Sequence, residues 1–269
     1  MPRKTKPSGN ALAFKRRLLA WFRREGRDLP WRRTRDPYRI LVSEFMLQQT
    51  PVSRVEEYYD EFLDRYPTVY ALAKARPKAV REAWDGLGYY RRAENLHALA
   101  RTVVTEHDGQ VPNDPAELQR LPGVGPYTAG AVATFAYERP SAAVDTNVSR
   151  VLRRVFRPRR RNGASADRRV RELAAALQPV RGRTAWEFNQ ALMDLGALIC
   201  RARIPKCSAC PVQTACRTGA SAVLSKQPHR RRVPHDGKST LAKNAFKKRI
   251  NTDALTTAPV VERPTPSAP

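Results

Sequence analysis

The four cysteines of this chain constrain its fold more than any other feature of the sequence. They lie together near residue 200, separated in order by six, two and five residues: Cys200, Cys207, Cys210 and Cys216. Four thiolates this close along the chain suit one compact metal centre in a reducing compartment better than a disulfide framework. Zinc sites with four cysteines usually present two short pairs, and only Cys207 and Cys210 form one here. The spacing therefore favours an iron–sulfur cluster and leaves zinc as the alternative.

The sequence predicts short helices rather than strands. From residue 11 to residue 217, apolar residues recur at intervals of three and four, and prolines at many points mark where helices begin or end. No alternating pattern is long enough to build a sheet. The predicted fold class is all-α, with about ten short helices.

The charge balance points to a polyanionic partner. The chain has 269 residues, with 50 Lys and Arg against 25 Asp and Glu, a formal charge of +25. No apolar run approaches the length of a membrane-spanning helix, so we expect no membrane association and a cytoplasmic location. No surplus apolar stripe is evident, which indicates a monomer.

A glycine-rich turn lies between two helical patterns at residues 121–130. Gly123 and Gly125 permit positive φ, and Pro126 suits the first position of a helix. Backbone N–H groups of such a turn, Val124 included, can converge on a DNA phosphate in the helix-hairpin-helix mode. Taken alone, the same pattern is more often only a tight turn.

Two acidic residues are candidates for acid–base chemistry. Glu44 shares a helical stripe with apolar residues, and burial there would raise its pKa, although pairing with an arginine at the edge of the stripe is an alternative. Asp145 precedes a helical pattern and could be a helix N-cap. A pair of carboxyl groups could also cleave a base from a sugar, by analogy with glycosidases, with one as acid and one stabilising an oxocarbenium-like sugar.

The order of these features resembles that of the helix-hairpin-helix DNA glycosylases that carry an iron–sulfur cluster, and within them the MutY-type adenine DNA glycosylases. The resemblance covers residues 11–217. It rests on five motifs: Leu29-Pro-Trp-Arg32, Ser43-Glu-Phe-Met-Leu-Gln-Gln-Thr50, Gly86-Leu-Gly-Tyr-Tyr90, Val144-Asp-Thr-Asn147 and Phe188-Asn-Gln-Ala-Leu-Met-Asp-Leu-Gly196. It implies a two-lobed helical fold with DNA between the lobes and a [4Fe–4S] cluster on the four cysteines.

The resemblance also implies the catalytic roles. Glu44 would protonate a flipped adenine, and Asp145 would stabilise the cationic sugar while water attacks. Asn147 and Tyr127 would support these two residues. Tyr127 stands where related lyases place a lysine nucleophile, which implies a monofunctional hydrolase that leaves an abasic site.

Four further residues match positions that contact DNA in the family. Trp31 and Arg32 resemble the wall of the adenine pocket, and Gln49 and Tyr89 resemble residues pushed into the duplex near the opposing base. For Trp31 and Tyr89, packing in a helical core is the alternative.

The resemblance suggests five segments. They are a disordered basic lead-in (1–10), an N-terminal helix that packs with the cluster lobe (11–35), a helical lobe with the hairpin (36–140), the cluster lobe (141–217) and a basic, mostly disordered tail (218–269). The 53 residues after Cys216 are too few and too polar for the C-terminal domain with which full-length family members recognise 8-oxoguanine. We therefore expect adenine removal from mispairs with 8-oxoguanine or guanine in double-stranded DNA of the nucleoid, with a reduced preference for the oxidised base.

Two other functions remain open from the sequence. One is a mismatch glycosylase that removes thymine or damaged pyrimidines, since the same scaffold hosts that activity. The other is a non-catalytic iron–sulfur protein that binds DNA, which would have no need of both Glu44 and Asp145.

Overall fold

The computed structural model describes residues 9–156 and 164–219, and these residues form a helical protein without β-strands. Eleven α-helices occur in this part of the chain: α1 (Gly9–Glu25), α2 (Pro37–Met46), α3 (Val52–Arg65), α4 (Val69–Lys74), α5 (Pro77–Ala83), α6 (Arg91–Glu106), α7 (Pro115–Leu118), α8 (Pro126–Phe135), α9 (Thr146–Phe156), α10 (Ala164–Leu177) and α11 (Gly182–Asp194). A π-turn (Leu195–Ile199) and short 3₁₀ turns (Pro30–Arg32, Cys207–Ala209, Gln213–Ala215) complete it. The predicted all-α fold class is confirmed.

Proline and capping residues set where several helices begin. Proline occupies the first position of α2, α5, α7 and α8, where a backbone N–H would have no partner within the helix. The carboxylate of Asp36 accepts hydrogen bonds from the N–H groups of Tyr38 and Arg39 at the start of α2. These local signals fix the start of the helix that carries Glu44.

The buried apolar residues form two clusters. One cluster is built mainly from residues of the successive helices α2 to α8 and includes Phe45, Phe62 and Trp84. The other joins α1 to α9, α10, α11 and the cysteine stretch, with Phe14 and Phe188 near its centre. Glu44 therefore lies on a helix of the first cluster, and the cysteines pack against the second cluster.

The segment that leads to Asp145 is held between α8 and α11. Gly130 of α8 lies so close to it that an added Cβ would be 2.4 Å from the carbonyl oxygen of Ala142. The Ser141 carbonyl accepts hydrogen bonds from Thr134 Oγ1 (2.7 Å) and Asn189 Nδ2 (3.1 Å), and Ala143 N donates to Asn189 Oδ1 (3.0 Å). These contacts bring Asp145 to the junction of α8, α9 and α11.

The ends of the chain lie mostly outside the described residues. Helix α1 begins at Gly9, inside the segment expected to be a lead-in, and residues 1–8 are not described. Residues 220–269 of the expected basic tail also lie outside the described part of the chain. Among the helices that are described, each is too short or too polar to span a membrane.

Candidate active site

Glu44 is a buried carboxyl group on α2. Glu44 is only 4% exposed, and its Oε2 atom has no hydrogen-bond partner among the described residues. Burial raises the pKa of Glu44 to about 7. A hydrogen bond from Tyr127 lowers the pKa, the charge of Asp145 raises it further and Arg32 opposes that rise. The carboxyl group is thus buried, and in the described structure no arginine forms an ion pair with it.

Tyr127 lies in the first turn of α8, where its hydroxyl group is close enough to the Glu44 carboxyl group to lower the pKa of that group. Burial holds the pKa of Tyr127 well above its ordinary value, and the charges of Glu44 and Asp145 raise it further. The phenol therefore keeps its proton and acts towards Glu44 as a hydrogen-bond donor.

Asp145 caps α9 and also faces the Glu44 site. Its Oδ1 accepts a hydrogen bond from Val148 N (2.6 Å), and its Oδ2 accepts one from Asn147 Nδ2 (2.9 Å). Its charge also acts on the pKa of Glu44 and of Tyr127, so the cap is compatible with the predicted active-site role of Asp145. The structure places the four predicted catalytic residues in one group, in which Asn147 is hydrogen-bonded to Asp145 and Tyr127 lies beside Glu44.

Arg150 connects this group to the cysteine stretch. Its Nη2 donates to Asn147 Oδ1 (2.8 Å) and to the Gly196 carbonyl (2.8 Å), and its Nε donates to the Cys200 carbonyl (2.8 Å). A Cβ at Gly196 would lie 2.8 Å from the Cβ of Asn147, so glycine permits this close packing. A series of hydrogen bonds through the side chains of Asn147 and Arg150 therefore links Asp145 to Cys200.

The four cysteines line one pocket at the far end of α9, together with apolar residues such as Val151 and Leu195. Arg154 Nη1 approaches Cys200 Sγ (3.5 Å), and Gly219 N donates to Cys216 Sγ (3.3 Å). Burial and the three neighbouring thiols raise the pKa of Cys210 to about 11, although the N–H of Val212 acts in the opposite direction. Within the described residues, no group of three or more His, Cys, Asp or Glu side chains is placed to hold a single metal ion.

The glycine turn has the geometry expected of a helix-hairpin-helix. Gly123 has φ +74°, and a Cβ there would lie 2.8 Å from Asn95 and 2.9 Å from Phe45, so only glycine fits. Val124 is buried and anchors the turn, while Gly125 begins α8 without a side-chain cap. Pro126 has no N–H, so the backbone N–H groups without a side-chain cap at the start of α8 are those of Gly125, Tyr127 and Thr128, and they are available to an anion.

Trp31 and Arg32 are both buried. Trp31 packs edge to face on Tyr59, with ring centroids 5.5 Å apart, as the packing alternative expects. Arg32 donates from Nη1 and Nη2 to the carboxylate of Asp194 (both 2.9 Å). Burial acts to raise the pKa of Asp194, but hydrogen bonds from Arg32 and Arg27 hold it below its ordinary value. Asp194 thus fixes the guanidinium of Arg32 close enough to Glu44 to act on its pKa.

Gln49 and Tyr89 are exposed on two loops. Tyr89 is 62% exposed, so it is not packed in the core. Both residues have left-handed backbone conformations, with φ +60° at Gln49 and +49° at Tyr89. Such conformations are uncommon for residues other than glycine and concentrate at functional sites.

The sequence analysis missed several residues that hold this arrangement: Arg92, Arg150, Asn189 and Asp194. Asn189 and Asp194 lie inside the quoted motif 188–196, so buried polar positions in that motif could have indicated them. Arg92 and Arg150 belong to a set of 50 basic residues, and no local pattern separates them from the others.

Comparison with known proteins places this geometry in a family. Residues 42–179 match the HhH-GPD superfamily of base excision DNA repair proteins. The chain is 49% identical over 199 residues to the adenine DNA glycosylase of Mycolicibacterium smegmatis, which covers 72% of this chain and 66% of that protein. It is 46% identical over 221 residues to the adenine DNA glycosylase of Mycobacterium tuberculosis, which covers 82% and 72% respectively.

A solved structure supports the fold assignment. A thermostable thymine-DNA glycosylase superposes with a TM-score of 0.71 and 34% identity over 79% of this chain and 97% of that one. The match with the M. smegmatis protein spans just under two thirds of that relative's length. From its sequence and fold together, the chain belongs to the HhH-GPD superfamily of base excision DNA repair proteins.

Proposed function

We propose that this chain is a monofunctional adenine DNA glycosylase. It hydrolyses the N-glycosidic bond of adenine mispaired with 8-oxoguanine or guanine in double-stranded DNA and leaves an abasic site. The observation that carries the proposal is the buried Glu44 carboxyl group, whose pKa is affected by the Tyr127 hydroxyl group and by the charge of Asp145. The similarity to two mycobacterial adenine DNA glycosylases supports adenine as the target base.

Glu44 supplies the proton that adenine needs as a leaving group. With a pKa near 7, its carboxyl group is protonated in about half of the molecules at neutral pH, whereas an exposed glutamate would be almost fully ionised. Its unpartnered Oε2 is free to donate to a ring nitrogen of a flipped adenine. The electron pair of the glycosidic bond then leaves with the neutral base.

Asp145 stabilises the sugar cation that remains. Hydrogen bonds from Val148 N and Asn147 Nδ2 hold its carboxylate in one orientation. Water adds its oxygen to the anomeric carbon, and its proton passes to the ionised Glu44. Both carboxyl groups end the cycle as they began it.

Tyr127 directs the reaction towards hydrolysis. A Schiff base forms only from an amine, and the side chain of Tyr127 has none, so this position cannot form a covalent imine with the sugar. We expect no covalent protein–DNA adduct on treatment with borohydride. Efficient trapping would contradict this part of the proposal.

The cysteine pocket fits an iron–sulfur cluster. Cys200, Cys207, Cys210 and Cys216 all line the one pocket, and three short loops separate them. A [4Fe–4S] cluster bound by the four thiolates would supply a cross-link of the loop to α9. Absorption near 400 nm and four irons per chain, both lost in Cys207→Ser, are the expected readouts; one zinc per chain would contradict this assignment.

DNA binding is assigned to the backbone at the start of α8 and to the basic surface of the chain. Uncapped N–H groups near Gly125 suit one phosphate, and the exposed Arg201, Arg203 and Lys206 lie in the cysteine loop. Because phosphate contacts release counterions, we expect DNA affinity to fall steeply with salt.

A panel of duplexes tests the substrate assignment. Single-turnover cleavage is measured on adenine opposite 8-oxoguanine, adenine opposite guanine, and thymine opposite guanine. The proposal predicts loss of adenine from the first two duplexes and none of thymine from the third. Loss of thymine alone, or no cleavage by protein with its cluster intact, would contradict it.

A further inference from the structure

Two loops of the first apolar cluster carry the exposed residues Gln49 and Tyr89. The first loop, residues 47–51, joins α2 to α3, and the second loop, residues 84–90, joins α5 to α6. We call these the wedge loops. Each loop carries one exposed residue other than glycine whose backbone is in the left-handed conformation. Such a conformation persists only where the surrounding structure holds it.

Arg92, at the start of α6, donates hydrogen bonds to both wedge loops. Its Nη1 donates to the carbonyls of Phe45 (3.0 Å), Met46 (2.6 Å) and Gln48 (2.5 Å). Its Nη2 donates to Thr50 Oγ1 and to the carbonyls of Leu87 and Gly88 (all 3.0 Å). One guanidinium therefore makes six hydrogen bonds that span the two loops and the end of α2.

Two of these acceptors are the carbonyls directly before the strained residues. The Gln48 carbonyl belongs to the peptide bond that joins Gln48 to Gln49, and the Gly88 carbonyl to the bond that joins Gly88 to Tyr89. The orientation of each peptide plane depends on ψ of the residue before it and on φ of the residue after it. Arg92 therefore holds the peptide planes that precede both left-handed residues, and its guanidinium also lies 5.6 Å from the centre of the Tyr89 ring.

Burial of the Arg92 guanidinium carries a cost in free energy. Arg92 is only 6% exposed, and within the described part of the chain no carboxylate forms an ion pair with it. Its Nε atom is buried without a hydrogen-bond partner in the same part of the chain. A buried cation without a counter-charge costs free energy that hydrogen bonds to neutral acceptors only partly offset.

We propose that Arg92 is a positioning residue that locks both wedge loops in the shape in which Gln49 and Tyr89 enter the duplex and extrude the target adenine. This inference rests on the proposed glycosylase function. Arg92 touches neither Glu44 nor Asp145 in the described contacts and acts on base extrusion through the two loops. Its loss should matter most where the adenine must be pulled out of a base pair, because extrusion costs least for an unpaired base.

The test compares Arg92→Lys with Arg101→Lys, the same substitution at an exposed site on the same helix. Single-turnover rates at saturating protein are measured on adenine opposite guanine and on adenine opposite an abasic analogue. Lysine keeps the charge but cannot reach both loops with a planar fork. We expect at least a tenfold loss of rate on the paired adenine, less than a threefold loss on the unpaired adenine, and no change in Arg101→Lys.

Equal losses on both duplexes, or no loss on either, would overturn the inference. Extrusion is also read without cleavage, from the fluorescence of 2-aminopurine in place of the target adenine, in a Glu44→Gln background. Arg92→Lys should reduce the fluorescence rise at saturating protein, and an unchanged rise would contradict the inference even if the wild-type chain released no adenine. If Arg92→Lys does not fold, Thr50→Val removes a single contact with Nη2 and should shift both readouts in the same direction by a smaller factor.

Discussion

Replacing Glu44 with glutamine should stabilise the fold at alkaline pH while it abolishes base release. The pKa of Glu44 is about 7 in the folded protein and 4.5 in the reference state, so the folded state binds the proton more tightly. Folding stability is therefore full below pH 4.5 and falls as pH rises towards 7, by about 3 kcal/mol in total at ~1.4 kcal/mol per pH unit. Between pH 5 and pH 8.5, the loss is about 2–3 kcal/mol. Glutamine has no charge to desolvate and should escape this loss.

Denaturant unfolding of the wild type and of Glu44→Gln at pH 5 and pH 8.5 measures this difference. We expect the free energy of unfolding of Glu44→Gln, relative to that of the wild type, to be larger by about 2–3 kcal/mol at pH 8.5 than at pH 5. Glu56→Gln, at an exposed position on α3, is the matched control and should show no comparable pH dependence. If the free energies of unfolding of Glu44→Gln and of the wild type differ by the same amount at both pH values, the assignment of a desolvated carboxyl group at this position is refuted.

Three further outcomes follow from the same structure. The single-turnover rate should fall about tenfold per pH unit above pH 7, because only protonated Glu44 can act as the acid; a rate profile that stays level up to pH 9 would argue against this role. Asp194→Asn leaves two arginines beside a fully buried amide and should lower the free energy of unfolding by about 3–5 kcal/mol in urea titrations, whereas a loss below 1 kcal/mol would show that the pair is not buried. Gly130→Ala places a Cβ against the Ala142 carbonyl, so thermal unfolding should show a loss of about 1–3 kcal/mol together with slower base release; a variant as stable and active as wild type would mean that α8 can move away.

The sequence predicted the fold class correctly, and it also indicated the candidate catalytic residues that the structure places together, because both depend on local signals. Proline at the start of helices and apolar residues at helical spacing mark α2 and α8 directly. The motif around Glu44 and the glycine turn before Tyr127 are contiguous in the chain, so each can be read without knowledge of the other. The contact between Glu44 and Tyr127 follows only once the two helices pack.

The supporting contacts could not be predicted because they join residues far apart in the chain. Arg92 contacts residues 45–50, and Arg150 contacts the carbonyl of Cys200. A composition with 50 basic residues hides the few that are buried, since burial depends on the whole fold. For Asp145, the sequence analysis treated the helix cap and the active-site role as alternatives. In the structure, Oδ1 caps the helix and Oδ2 accepts a hydrogen bond from Asn147, so one carboxylate is able to fill both roles.

Release of free adenine from a duplex that holds adenine opposite 8-oxoguanine tests the central claim most directly. The full chain, Glu44→Gln and Glu56→Gln are compared under single-turnover conditions, with the released base identified by chromatography. The account predicts adenine and an abasic strand from the wild type and from Glu56→Gln, and neither product from Glu44→Gln. Adenine release that persists in Glu44→Gln, or its absence from the wild type with an intact cluster, would contradict it.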